Sequence, residues 1–278
     1  VLQYLVGLLG ENVHTCERNN KIAIAGVRAG YPLENYLSEL PPEERFSCAR
    51  DLLLGEDAFQ GQPRNLEEWF LQHFGAALVD LYFRPYNEKV WKTPLQDLSM
   101  SWADRIPLPP KEDVLAGAVG LTRPGYVHQL YYQYPRVGGY QALAEAVAQQ
   151  AQDVRCGHDV QSISVGAQVR VATQQGLFES PRVVWTAPVH ELPHVFDGDL
   201  PEQLLDDIAR LRVNPTVVVT LGFRGEDKEL LTALYVADPE VLANRISFPA
   251  TFSPANAPPG HFSIQSEITL PPEEWPPS

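Results

Sequence analysis

The run from Asn65 to Trp91 constrains this chain more than any other segment. Asn65 is a good helix N-cap, and Glu67 and Glu68 follow where a first turn would favour acids. Trp69, Phe70, Phe74, Leu78 and Leu81 then recur at helical spacing, so the spacing predicts an amphipathic helix. It leads directly into Tyr82-Phe83-Arg84-Pro85-Tyr86-Asn87-Glu88-Lys89-Val90-Trp91. Core segments seldom carry so many hydrogen-bonding groups, because each buried one needs a partner, and solvated loops seldom carry so many rings. The mixture suits a pocket wall, where rings stack on a flat ligand and polar tips orient it. The competing reading is a helix end with a turn at Arg84-Pro85, rings in the core and charges outside.

Around this run the chain divides into three regions. Residues 1–40 form a linker and strand segment, with alternation at Lys21–Val27 and a turn at Gly30-Tyr31-Pro32. Residues 41–118 are helical: Pro41-Pro42-Glu43-Glu44 opens one helix, Asn65 caps the next, and Lys111 to Ala118 is a weaker third. Residues 119–278 change character. Gly138-Gly139 precedes a helix over 140–150, and three strands follow at Asp159–Val165, Gln168–Thr173 and Arg182–Thr186. Gly166-Ala167 reads as a two-residue hairpin turn between the first two. Another helix is expected over Glu202–Leu211, then a β-branched strand over Thr216–Phe223 with sheet partners Ala233–Val236 and His261–Ile268. The expected fold is α+β, a helical substrate subdomain joined to a largely antiparallel sheet.

Charge and composition exclude some functions. Thirty-five acids against 21 Lys plus Arg give a net charge of −14. That argues against nucleic acid or an anionic membrane surface as the main partner, so an anionic ligand would need a local arginine cluster. Three scattered cysteines, Cys16, Cys48 and Cys156, suggest neither a disulfide framework nor a zinc site, and no histidine spacing suggests a metal. No segment is long and apolar enough to span a membrane. The opening VLQYLVGLLG lacks a basic leader, and both ends read as cut from something larger. The phosphate-binding and nucleophile-elbow motifs GxGxxG, GxxxxGK[ST] and GxSxG are missing. Arg105 and Arg245 stand out by their apolar contexts, and two converging guanidinium groups would suit a diphosphate.

FRPYNEKVW, TPLQDLSMSWADRIPLP and YPRVGGYQALAEAVA resemble the flavin-dependent UDP-galactopyranose mutases, particularly their eukaryotic-type branch. More broadly they resemble the amine oxidase and protoporphyrinogen oxidase superfamily. Tyr31-Pro32-Leu33-Glu34-Asn35, Val184-Trp185-Thr186-Ala187-Pro188 and Asn244-Arg245 with Phe252-Ser253-Pro254 carry weaker parts of the likeness. The resemblance implies that this chain is an interior fragment of a larger FAD-binding, Rossmann-like fold whose GxGxxG lies upstream. It implies FAD, active when reduced, with NAD(P)H as a candidate reductant and a UDP-sugar as substrate. Reduced flavin N5 would attack the anomeric carbon, displace UDP and return it after ring contraction.

Residue by residue, the resemblance places Arg105 and Arg245 on the diphosphate as catalytic residues. It places Tyr31, Glu34, Tyr82, Asn87, Trp91, Gln129 and Phe252 around the substrate, and Gly138, Gly139, Val160 and Pro188 against the cofactor. Glu34 stands where the family has Gln near uracil, and Phe252 where it has Tyr. A cytoplasmic enzyme is expected, with oligomerisation open. Two other readings stand beside it: an FAD oxidoreductase of the oxidase or desaturase type, and a non-catalytic nucleotide-sugar-binding protein.

Overall fold

A computed structural model describes residues 1–55, 59, 61–121 and 130–274, without the side chains of residues 102 and 104. Two compact units are present, Val1–Val147 with Asn214–Ser278, and Ala148–Val213. The architecture is the expected α+β.

In the larger unit, α1 (Leu2–Leu9) precedes a pair of antiparallel strands, β1 (Val13–Glu17) and β4 (Tyr131–Pro135). A six-stranded sheet takes β2 (Asn20–Ile24) and β3 (Val27–Gly30) from one end of the sequence. From the other end come β9 (Thr216–Arg224), β10 (Ala233–Val236), β11 (Arg245–Ser247) and β12 (His261–Thr269), in the order β3-β2-β10-β11-β12-β9. All pairings are antiparallel except β2 with β10. The strands between residues 13 and 30 are thus part of the main sheets rather than a lead-in to them.

Helices α2 (Pro42–Leu54), α3 (Leu66–Leu78), α4 (Arg84–Trp91) and α5 (Lys111–Ala118) cover the 41–118 region, and α6 (Gln141–Ala148) follows the glycine pair. The core is built where the sequence places its apolar stripe: Leu66, Phe70, Phe74, Leu78 and Val79 pack with Ile22, Leu33, Leu37, Cys48 and Val114. Asn65 Oδ1 accepts the Glu68 N–H, the expected cap on α3.

Two backbone irregularities shape α3 and α4. Gly75 has φ 75° and breaks α3, and an added Cβ there would lie 2.7 Å from Asp51 Cβ on α2. Asp51 Oδ2 accepts the Ala77 N–H, re-capping the helix after the break. Further on, Pro85 cannot donate to a carbonyl four residues back, and its ring would clash there. The chain responds with a π-helical turn at Val79–Phe83, in which the Arg84 N–H reaches Val79 O. The turn expected at Arg84-Pro85 is therefore a widened helical turn rather than a chain reversal.

The smaller unit holds a four-stranded sheet in the order β7-β6-β5-β8. Its strands are β5 (Val160–Val165), β6 (Val169–Thr173), β7 (Gly176–Ser180) and β8 (Phe196–Asp197), followed by α7 (Glu202–Arg210). The strand expected at Arg182–Thr186 does not form, since that stretch has no regular secondary structure, and β7 takes its place. The β5–β6 connection has three residues rather than two, closed by the Gly166 N–H donating to Gln168 O.

Candidate functional site

A cleft of about 370 Å³ opens in the larger unit where the sheet meets the helices. Five of the residues singled out from the sequence line it: Tyr31, Glu34, Tyr82, Asn87 and Arg105. Tyr31 follows β3, Glu34 lies in the turn Leu33–Asn35, and Tyr82 is on the π-helical turn. Asn87 is further on, on α4, and Arg105 ends the short 3-10 helix Met100–Arg105. Spaced i, i+1, i+4 and i+5, Tyr82, Phe83, Tyr86 and Asn87 fall on a common helical face that lines the cleft.

Four aromatic hydroxyls crowd together there. Tyr82 and Tyr86 stack with centroids 5.5 Å apart, Tyr31 lies 5.2 Å from Tyr235, and Tyr86 meets Tyr235 edge-on at 5.8 Å. Burial, and after it the neighbouring hydroxyls, raises the Tyr31, Tyr82 and Tyr86 phenols above their ordinary range, so all stay neutral. Such rings offer faces for a planar ligand and hydroxyls for its edge.

Two buried acceptor side chains of the wall, Glu34 and Asn20, are short of donors. Glu34 is only 5% exposed, and burial pushes its carboxyl up to about 7, with its own backbone N–H the sole opposing hydrogen bond. Asn87, also buried, donates through Nδ2 to Phe83 O at 2.7 Å, satisfying a carbonyl of the widened turn. Asn20 donates to the Tyr235 hydroxyl at 3.4 Å, and its buried Oδ1 has no partner among the described residues.

Arg18 and Arg105 bring positive charge to this lining, both from exposed positions. The Arg18 guanidinium also lies 4.9 Å from the Tyr132 ring.

The structure places the other expected residues elsewhere. Arg245 lies opposite Tyr235 across the β10–β11 ladder and opposite Glu267 across β11–β12. Its Nε donates to Glu267 Oε1 at 2.9 Å, so it stands one strand from the lining and already holds a carboxylate. Its charge still reaches the cleft, lowering the phenols of Tyr86 and Tyr235 against the larger effect of burial. Trp91, at the end of α4, is 41% exposed and outside the lining. Phe252 packs in a separate cluster with Tyr132 and Tyr134 at 6.0 and 5.5 Å. Gln129 lies outside the described residues.

Of the residues expected against a cofactor, Gly138 and Gly139 precede α6 with φ of 84° and 60°. Side chains disfavour that conformation, and a Cβ on Gly138 would come within 3.2 Å of Ala142 Cβ. The bare backbone there fits a flat or anionic group lying against it. Val160, at the start of β5, and Pro188, before the turn Val189–Glu191, belong to the smaller unit.

Sequence reasoning missed Arg18, Asn20 and Tyr235, and counted Tyr86 only as one ring among four. Tyr86 was within the highlighted run. Tyr235 was hidden inside an ordinary strand, and only the β2–β10 pairing brings it to the cleft. Among the described residues no group of acids, histidines and cysteines could hold a metal, and no helix is long and apolar enough to cross a membrane.

The fold has clear relatives. It superposes on a reduced UDP-galactopyranose mutase with a TM-score of 0.86 at 21% identity, covering 96% of this chain and 60% of that one. A protein described as a putative protoporphyrinogen oxidase from Exiguobacterium sp. 255-15 gives 0.68 at 18%, covering 97% and 63%. A putrescine oxidase gives 0.57 at 13%, covering 96% and 61%. At these identities the likeness establishes the fold, and the chain spans under two thirds of each relative's length. The sequence itself matches the profile of the flavin containing amine oxidoreductases over residues 26–273. With nearly the whole chain matched and the fold in agreement, this chain belongs to the flavin-containing amine oxidoreductase family.

Proposed function

We propose that this chain carries the substrate-binding part of a flavin-dependent isomerase of the UDP-galactopyranose mutase type, converting a nucleotide sugar between pyranose and furanose forms. The observation that carries the reading is the convergence of Tyr31, Glu34, Tyr82, Asn87 and Arg105 on one cleft from three separate stretches of sequence. The tyrosine faces would hold the base by stacking. Arg105 and Arg18 would meet the diphosphate and stabilise the charge that develops as the nucleotide leaves. Arg245 would contribute only after exchanging Glu267 for phosphate. In the larger unit, Gly138 and Gly139 would lie against FAD, which when bound and reduced supplies the nucleophile for the anomeric carbon.

The test uses the full-length protein, with flavin reduced by dithionite, incubated separately with UDP-galactofuranose and its GDP counterpart. Chromatographic conversion to the pyranose only under reducing conditions is expected. Flavin binding without any conversion would overturn the reading.

A second reading, an FAD oxidoreductase acting on an amine, is favoured by one observation. The buried Glu34 carboxyl shares the cleft with several aromatic rings, where an ammonium group would find a counter-charge. Amine-dependent reduction of the bound flavin would support it.

A further inference from the structure

We infer that this cleft selects a planar ring whose edge presents two adjacent N–H donors, the edge guanine offers, with Glu34 as the specificity-determining residue. This rests on reading the cleft as the base end of a nucleotide site, and it narrows that reading.

The argument starts from what the wall lacks. Buried polar atoms in folded proteins nearly always have a hydrogen-bond partner. Here Glu34, 5% exposed, Asn87, 6%, and Asn20, 9%, line one cleft. Glu34 is met by its own backbone N–H, and the buried Oδ1 of Asn20 has no partner among the described residues. A ligand edge that brings donors completes the Glu34 and Asn20 acceptors, while Arg18 and Arg105 remain for acceptor groups elsewhere on the ligand.

The rings then fix the ligand's shape. Tyr31, Tyr82, Tyr86 and Tyr235 surround the same space with stacked and tilted faces, so a flat group lies against them and turns an edge to the carboxyl.

Edge chemistry separates the candidates. A uracil edge has one N–H between two carbonyls, so a carboxylate that takes the N–H must face a carbonyl with its second oxygen. Guanine presents N1–H beside the N2 amino group, and both carboxylate oxygens accept in parallel. Hydrogen bonds to a charged group contribute about 1.5–3 kcal/mol each, about 10–100-fold in affinity.

The test measures binding of GDP, UDP, benzamidine and putrescine to the protein and to Glu34→Gln by calorimetry at pH 8. Glu34→Asp is the control that keeps the charge. The expected result is GDP at least tenfold tighter than UDP in the parent protein. That preference should collapse or reverse in Glu34→Gln and survive, weakened, in Glu34→Asp. If neither diphosphate binds but benzamidine does, and Glu34→Gln abolishes it, the donor-edge inference holds and the nucleotide reading fails. UDP binding as tightly as GDP, an unchanged ratio in Glu34→Gln, putrescine binding as tightly as benzamidine, or no binding by any of the four would overturn the inference.

Discussion

Replacing Glu34 by Gln should stabilise the protein, and by an amount that depends on pH. Glu34 is 5% exposed, and burial moves its carboxyl from an ordinary 4.5 to about 7. The raised value means the fold favours the protonated form. The contribution of Glu34 to stability is therefore complete below pH 4.5 and is lost as pH rises through 7. The gap corresponds to about 3 kcal/mol at ~1.4 kcal/mol per pH unit. Gln does not titrate, so its packing and hydrogen-bonding costs are the same at every pH and cancel in the comparison. Urea denaturation of both proteins at pH 5 and pH 8 isolates the titrating part. Glu34→Gln should gain about 2–3 kcal/mol more relative to the parent at pH 8 than at pH 5. A stability difference that is the same at both pH values would show that the carboxyl is not held in a desolvated site, and the donor-poor wall would have to be redrawn.

Other substitutions test other parts of the structure. Gly75→Ala should destabilise the larger unit by about 2 kcal/mol or more, because φ of 75° and the Asp51 backbone 2.9 Å away both oppose a Cβ; urea midpoints will show whether α2 can move aside. Asn65→Ala removes the cap on α3 and should cost about 1 kcal/mol by the same measurement, whereas Asn65→Asp should keep most of it. Glu267→Gln frees the Arg245 guanidinium and should tighten inorganic pyrophosphate binding by about two- to tenfold in calorimetry; unchanged affinity would remove Arg245 from any anion site.

Local patterns were readable in advance and long-range ones were not. The cap at Asn65, the stripe Phe70–Phe74–Leu78 and the hydrophobic strand Thr216–Arg224 depend on neighbours within a few residues, and each stands where the spacing puts it. Arg182–Thr186 has strand composition but no partner edge, and composition alone cannot show that. The cleft shows the same division. Tyr31, Glu34, Tyr82, Asn87 and Arg105 were legible because their motifs are contiguous. Tyr235 and Asn20 were not, because their roles exist only once β2 lies beside β10. Arg245 was visible as an arginine in an apolar setting, but its partner Glu267 comes from another strand and changes what it can do.

The parallel pairing of β2 with β10 also sets an order of events during synthesis. Asn20 pairs with Ala233, so one wall of the cleft waits on the ribosome while 213 further residues emerge. Helices α2 to α4 make mainly local contacts and can collapse early, whereas closing so long a loop costs chain entropy that is recovered only at the end. A nascent chain halted before β10 would present Tyr31, Tyr82 and Tyr86 to solvent as an unfinished aromatic surface, a recognisable target for a holdase. The binding cleft is then completed late, only when β10 delivers Tyr235 beside β2, long after the helices that form its other wall have been made.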